Sequence, residues 1–192
     1  MHRSVALVIP LYNEEEMFPI LLEALDTFIA QNSIIKEVVL VNDGSKDKTE
    51  QVVLDLIQER SAFKLISFSR NFGHQIAVTA GLDYVEADAA VIMDADLQDP
   101  LDVVLKMIEC WKEGYDVVYG VRKSRDGETW FKKYSAKWFY RFFRWITDLD
   151  IPLDTGDFRL VSRSVIGAYQ QISEQQPFVR GLITWLGYNQ IG

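Results

Sequence analysis

The sequence predicts an α/β domain, a mainly parallel sheet flanked by helices. Apolar runs of strand length alternate with segments whose apolar residues recur at helical spacing. The runs are continuous rather than alternating, as strands covered on both faces require. The connections are short, with no linker rich in Pro, Gly or Ser and no internal repeat, so the alternation reads as one parallel sheet. A chain of 192 residues, 48% hydrophobic, can bury a full core as a single domain. With 12% aromatic and 25% charged residues it is not a disordered chain.

The first strand is the run Val5-Ala6-Leu7-Val8-Ile9, expected to stop at Pro10. Asn13-Glu14-Glu15-Glu16 then places acids where a helix N-terminus favours them, and Leu21, Leu22, Leu25, Phe28 and Ile29 give that helix its apolar face. Val38-Val39-Leu40-Val41 is the second strand and Asn42-Asp43-Gly44-Ser45 a turn. From about Lys48, Val52, Val53, Leu56 and Ile57 mark a second helix. A third strand is expected at 63–68, a helix at 73–85 and a fourth strand at 89–93. Pro100 suits the first position of the next helix, and 115–119 reads as a fifth strand. Beyond it lie a helix at 130–147, a short strand at 158–162 and a short helix at 165–172.

Composition excludes several functions. The single cysteine, Cys110, falls in a predicted helix as core filler, and one cysteine allows neither an internal disulfide framework nor a Cys-rich zinc site. Only His2 and His74 exist, which leaves little for a His-based metal centre or a Ser-His-Asp triad. His74 is expected to hydrogen-bond locally. No signal peptide and no membrane-spanning run is visible. Net charge is −8, distributed as −12 over residues 1–120 and +4 over 121–192. Nucleic acid is therefore not an expected partner, whereas the second part suits something anionic.

In open parallel sheets, ligands bind beyond the carboxyl ends of the strands. Here those ends carry Tyr12-Asn13-Glu14, Asn42-Asp43-Gly44, Arg70-Asn71 and Asp94-Ala95-Asp96. Converging carboxylates repel unless a cation or a donor-rich ligand offsets them. Asp94 and Asp96, one residue apart across small Ala95, can share one hard divalent cation, with Gln98 as a neutral oxygen ligand. Oxygen-only ligation by few protein groups suits Mg²⁺ or Mn²⁺ shared with ligand phosphates. The alternative is a solvated acidic turn. No phosphate-binding G-x-x-x-x-G-K-[ST] or G-x-G-x-x-G follows the first strand.

Five ordered segments now resemble a known family. They are 8–15 (Val-Ile-Pro-Leu-Tyr-Asn-Glu-Glu), 41–49 around Asn42-Asp43-Gly44-Ser45, 69–74 (Ser-Arg-Asn-Phe-Gly-His), 93–100 and 154–159 (Asp-Thr-Gly-Asp-Phe-Arg). Together they resemble glycosyltransferase family 2, inverting enzymes with a GT-A fold, and within it the polyprenyl-phosphate glycosyltransferase branch. The resemblance runs from about Val5 to Gly192. It implies one GT-A catalytic domain over 1–192, with 1–120 binding the nucleotide-sugar and 121–192 facing acceptor and membrane. It also implies a nucleotide-sugar pocket of Pro10, Tyr12, Asn13, Glu14, Val41 and Asp43, and a metal and diphosphate site of Asp94, Ala95, Asp96 and Gln98. Arg122 stands as a phosphate-contacting arginine, with Arg159 and Arg180 as weaker candidates for the acceptor phosphate, against a plain salt-bridge role. Asp157, with Asp96, is the catalytic candidate, standing where inverting members place a base.

Residues 130–145 hold nine aromatics and five cations with no acid. Lys133, Lys137, Arg141 and Arg144 follow one helical stripe, and Trp130, Tyr134, Trp138, Phe142 and Trp145 run beside it. Rings at headgroup depth beside cations on lipid phosphates suit a helix lying in a membrane interface; packing of the rings on the sheet is the alternative. Branch members continue into transmembrane helices, so a membrane segment beyond Gly192 is expected. The expected activity is transfer of a hexose, glucose first, from a UDP-linked donor to a polyprenyl phosphate at the cytoplasmic face of a membrane. A soluble or polysaccharide acceptor, or nucleotide-sugar binding without turnover, is the alternative. Sugar, base and any homo-oligomeric state stay open at this point.

Overall fold

The computed structural model describes residues 3–121, 155–174 and 176–192. In chain order the elements are β1 (Val5–Leu11), α1 (Phe18–Gln31), β2 (Ile35–Asn42), α2 (Thr49–Ile57), β3 (Phe63–Ser67), α3 (His74–Asp83), β4 (Ala89–Ile92), α4 (Leu101–Lys112), β5 (Val117–Val121), β6 (Thr155–Ser162), α5 (Arg163–Tyr169), α6 (Val179–Trp185) and β7 (Gln190–Ile191). The helix expected at 130–147, with Trp130, Lys133, Lys137, Trp138, Arg141 and Trp145, lies outside the described residues, as does Arg122.

Seven strands form one sheet in the order β3-β2-β1-β4-β6-β5-β7. All neighbouring pairs are parallel except those of β6, which runs antiparallel to both β4 and β5. The expectation of a mainly parallel sheet holds, with this one reversed strand in its middle. β1 is buried along its whole length, which its unbroken apolar run requires.

Alternate residues divide the core into two layers. Leu7, Ile9, Leu40 and Val91 face Phe18, Leu21 and Leu25 of α1, Val53 of α2 and Val104 and Ile108 of α4. Val8, Val39, Val41 and Ile92 face Ala77, Val78 and Leu82 of α3, with Val165 and Ile166 of α5 and Ile183 of α6. Each fully buried aliphatic side chain contributes roughly 1.5–3 kcal/mol of transfer free energy. Gly81 lets α3 lie directly on the sheet, since a Cβ there would come within 2.4 Å of Val8 Cγ1.

Several boundaries differ from expectation. β1 continues through Pro10 to Leu11. Its pairing with β4 covers only Val5 to Val8, and Leu11 and Val8 carbonyls show that odd residues bond towards β2 and even ones towards β4. The missing N–H of Pro10 therefore points past the end of the β4 ladder, where no bond is lost. The first helix starts at Phe18 and has no acid in its first turn. Pro19 sets that start, and Glu14 to Glu16 form the loop before it. Smaller shifts place Pro100 at the cap of α4 rather than inside it and move β5 to Val117–Val121.

Candidate functional site

β1 lies between β2 and β4, so the chain leaves β1 in one direction, through β2 and β3, and returns to β4 on the other side. That reversal opens a crevice at the carboxyl ends of β1 and β4. A cavity of about 420 Å³ occupies it. Pro10, Leu11, Tyr12 and Glu14 line it from the end of β1, and Asp43 from β2. Asn71, Gly73 and His74 close it from the start of α3, and Asp94, Ala95 and Asp96 form its floor beyond β4.

The loops around it are tied to one another. Asn13, at φ 58°, donates its N–H to Ser45 Oγ at 3.0 Å and accepts from Lys46 N at 2.8 Å on Oδ1. Glu14 N donates to Thr49 Oγ1 at 2.7 Å, and Lys48 N to Glu15 Oε2 at 2.8 Å. The acids after β1 thus bridge to the loop after β2. Asp43, 3% exposed, accepts from Phe72 N at 2.7 Å and Gly73 N at 2.9 Å, one on each carboxylate oxygen. It holds the loop before α3 against β2. Gly44 makes that approach feasible: its φ is +61°, and a Cβ would meet the Arg70 backbone at 2.2 Å.

The acidic turn after β4 is held from within. Met93 N donates to Val8 O at 3.1 Å, Asp94 N to Asp99 Oδ2 at 3.3 Å and Gln98 N to Asp96 Oδ1 at 3.0 Å. Asp94 Oδ1 lies 3.0 Å from His74 Nε2. That hydrogen bond, joined by the charges of Asp94, Asp157 and Asp43, holds the imidazole above its ordinary pKa against the opposing effect of burial. Burial raises the Glu14 carboxyl as well, with Asp96 and Asp47 adding repulsion. Among the described residues no three His, Cys, Asp or Glu side chains gather closely enough to enclose an ion. Asp94 and Asp96 on one turn, with Asp96 repelling the raised Glu14 carboxyl, nevertheless fit a hard cation whose remaining ligands would come from phosphate and water.

A second cavity, of about 410 Å³, adjoins the first and shares Asp94 with it. Gln98 and Asp99 line one side; Gly120, Gly156, Asp157 and Phe158 line the other. Asp157 Oδ2 accepts from Gln75 Nε2 at 3.0 Å and lies 3.6 Å from His74 Nδ1, while Oδ1 is 4.0 Å from Arg180 Nε. Three side chains from two helices distant in sequence therefore surround one carboxylate.

The structure brings Pro10, Tyr12, Glu14, Asp43, Asp94, Ala95 and Asp96 to the first cavity and Gln98 and Asp157 to the second. Four expected residues among those described line neither cavity, and of these Arg180 stands 4.0 Å from Asp157 Oδ1. Val41 is fully buried under α3, because strand alternation turns it away from the crevice. Asn13 staples two loops. Arg159 is 3% exposed, donates to Gly156 O at 3.0 Å, and has its pKa lowered to about 10 by burial. Asn71 lines the cavity as its place at a strand end implies, whereas Leu11 and Gly73 as lining residues, and Gln75 and Asp99 as supports, depend on the tertiary arrangement of the loops.

The model of "Glycosyl transferase family 2" matches residues 6–169. An uncharacterised glycosyltransferase of Bacillus subtilis, YkcC, is 50% identical over 98% of this chain and 58% of its own length. A prophage bactoprenol glucosyl transferase homologue of Escherichia coli is 38% identical over 96% of this chain and 60% of its own. The chain thus spans under two thirds of the length of these relatives. Among solved structures, a mannosyltransferase of Pyrobaculum calidifontis in complex with GDP-mannose and Mn²⁺ superposes with a TM-score of 0.71 at 20% identity, covering 100% of this chain and 55% of that one. Glucosyl-3-phosphoglycerate synthase of Mycobacterium tuberculosis with UDP reaches 0.57 at 20% identity, covering 85% and 58%. The fold is that of GT-A glycosyltransferases.

Proposed function

The chain belongs to glycosyl transferase family 2, and on that premise we propose that it moves glucose from a UDP-linked donor to a polyprenyl phosphate at the cytoplasmic face of a membrane, inverting the anomeric carbon. One observation carries the reading: Asp94 lines both cavities, so a donor seated in the first presents its sugar to Asp157 in the second. The E. coli relative is named for bactoprenol, a lipid acceptor, and for glucose. Among the described residues no helix is long and apolar enough to cross a membrane. In this reading, contact falls to the aromatic and basic side chains of 130–145, with residues 1–120 serving the donor and 121–192 the acceptor.

Tyr12 packs on the base, Glu14 accepts from base or ribose, and Arg122 contacts phosphate. Asp94 and Asp96, with Gln98, would hold Mg²⁺ or Mn²⁺, which when bound neutralises charge on the departing diphosphate. An acceptor phosphate oxygen bonds to the anomeric carbon from the face opposite the leaving group. The bond from that carbon to the diphosphate breaks, and its electron pair leaves on the nucleoside diphosphate. A phosphomonoester has a second pKa of about 6, so the acceptor arrives largely ionised. Asp157 therefore chiefly orients the acceptor and the Arg180 guanidinium, and positioning with charge neutralisation supplies most of the rate.

The test is incubation of the full protein with labelled UDP-glucose and polyprenyl phosphate, followed by extraction into organic solvent. Label in the organic phase that depends on the acceptor supports the reading. Label confined to the water phase rejects a lipid acceptor.

A further inference from the structure

The geometry points to Gln75 as a positioning residue of the transfer, one that sets Asp157 and the helix carrying Arg180 in a single arrangement. The inference rests on the reading above, in which Asp157 faces the acceptor. Gln75 is the second residue of α3, half-buried, and lines neither cavity. Its Nε2 donates to Asp157 Oδ2 at 3.0 Å, and its Oε1 accepts from Val179 N at 3.0 Å, the first residue of α6. The same Nε2 lies 3.3 Å from His74 Nδ1, on the ring whose other nitrogen meets Asp94.

The two principal partners fix which way the amide points. A backbone N–H can only donate and an ionised carboxylate can only accept, so a flipped amide would lose both bonds. The first N–H groups of a helix lack partners within it, and Phe178 gives α6 no side-chain cap. The Gln75 carbonyl takes that role from another element. Arg180 follows Val179 directly, with Nε 4.0 Å from Asp157 Oδ1. One amide therefore orients the carboxylate and seats the helix start that carries its cationic neighbour. Through His74 it also stands beside the acidic turn of the donor cavity. Displacements of about 1 Å at a reacting centre cost on the order of 100-fold in rate, so this support belongs to catalysis although Gln75 touches no ligand.

Gln75→Glu separates the two bonds. The introduced carboxyl keeps an acceptor for Val179 N but loses the donor to Asp157 and faces it with like charge. In the full protein, at about pH 8, kcat should fall roughly 10–100-fold while the KM for nucleotide-sugar stays within about two-fold. As pH falls, a proton shared by the two carboxyls restores the donor, and kcat should recover relative to the parent. Gln75→Ala, which loses both bonds, should lose kcat without that recovery, and a UDP-induced thermal shift retained in each variant shows an intact donor site. Parent-like kcat and pH profile in Gln75→Glu would overturn the inference, as would a loss confined to the nucleotide-sugar KM. Should Gln75→Glu not fold, Gln75→Ala decides: retained kcat overturns the inference, and lost kcat with retained KM supports it. Asp157→Asn, assayed alongside, separates the two levels. If it is inactive while Gln75→Glu is normal, only the role of Gln75 falls. Full activity of Asp157→Asn removes the reading of Asp157 and the inference together.

Discussion

Asp43→Asn separates a structural role for this carboxylate from a purely ligand-binding one. Asp43 is 3% exposed, and its two oxygens accept from Phe72 N and Gly73 N at 2.7 and 2.9 Å. Asparagine offers one oxygen; its amide nitrogen would meet the other N–H donor to donor. Leaving one buried N–H unpaired costs about 1–3 kcal/mol. The surviving bond loses its charge assistance, and the start of α3 loses a nearby anion, for about a further 0.3–1 kcal/mol. The sum is about 1.3–4 kcal/mol before any nucleotide is present. At about 2–4 °C per kcal/mol for a chain of this size, the nucleotide-free protein should melt roughly 3–16 °C lower. Differential scanning calorimetry of the full protein with and without UDP measures this. A nucleotide-free Tm equal to that of the parent, with only the UDP affinity reduced, would refute the structural reasoning and leave Asp43 as a ligand contact alone.

Three further outcomes follow from the same geometry. Gly44→Ala forces a Cβ to within 2.2 Å of the Arg70 backbone at positive φ, so denaturant titration should show a loss of about 2–4 kcal/mol, and a loss under about 0.5 kcal/mol would contradict the close packing. Asp96→Asn should abolish Mn²⁺-dependent UDP binding and most turnover while leaving nucleotide-free stability equal or slightly higher, since Asp96 repels Glu14; unchanged binding and turnover would show the metal assignment to be wrong. Asp88 accepts from Ser4 N and Oγ and stands near Arg163 and Arg3, which lowers its pKa below 3.8. Its stabilising effect is therefore complete above about pH 4 and fades as pH falls through the lowered folded value. The stability gap between parent and Asp88→Asn, under about 1 kcal/mol at this exposed position, should close in that acid window and stay flat above it.

The buried parallel strands and their polar ends were legible because both are local signals: unbroken apolar runs, followed by Asn, Asp and Gly. Tyr12, Glu14, Asp43, Asp94 and Asp96 converge as that pattern implies. What stayed hidden depends on partners far along the chain. The ladder past Pro10 depends on where β4 stops pairing. Glu14 and Glu15 leave the helix start because Thr49 and Lys48 compete for them. The two-residue β7 and the seven-residue α6, whose own N-cap residue Phe178 offers no side-chain cap, carry too little pattern to register alone. Gln75 reaches Asp157 across 82 residues and Val179 across 104, and no spacing rule spans such distances.

The direction of β6 explains how Asp157 comes to the site. A rule that looks for function after each strand passes over residues 156–158, which lie near the start of one. β6 pairs antiparallel with β4, Arg159 opposite Ile92 and Ser162 opposite Ala89, so its beginning sits at the edge where β4 ends. Residues just ahead of Arg159 are thereby carried beyond Ile92 to face Asp94 across the second cavity. Had β6 been parallel, Asp157 would stand at the opposite edge of the sheet, about 10 Å or more away at about 3.3 Å per residue over a four-residue ladder. The reversed strand brings a carboxylate from the last third of the chain against the acidic turn that follows β4, and His74 and Gln75 at the start of α3 bridge the two. The two cavities are thus joined by backbone topology first and by two adjacent side chains second. For that reason a change at Gln75 should reach kcat while sparing the nucleotide.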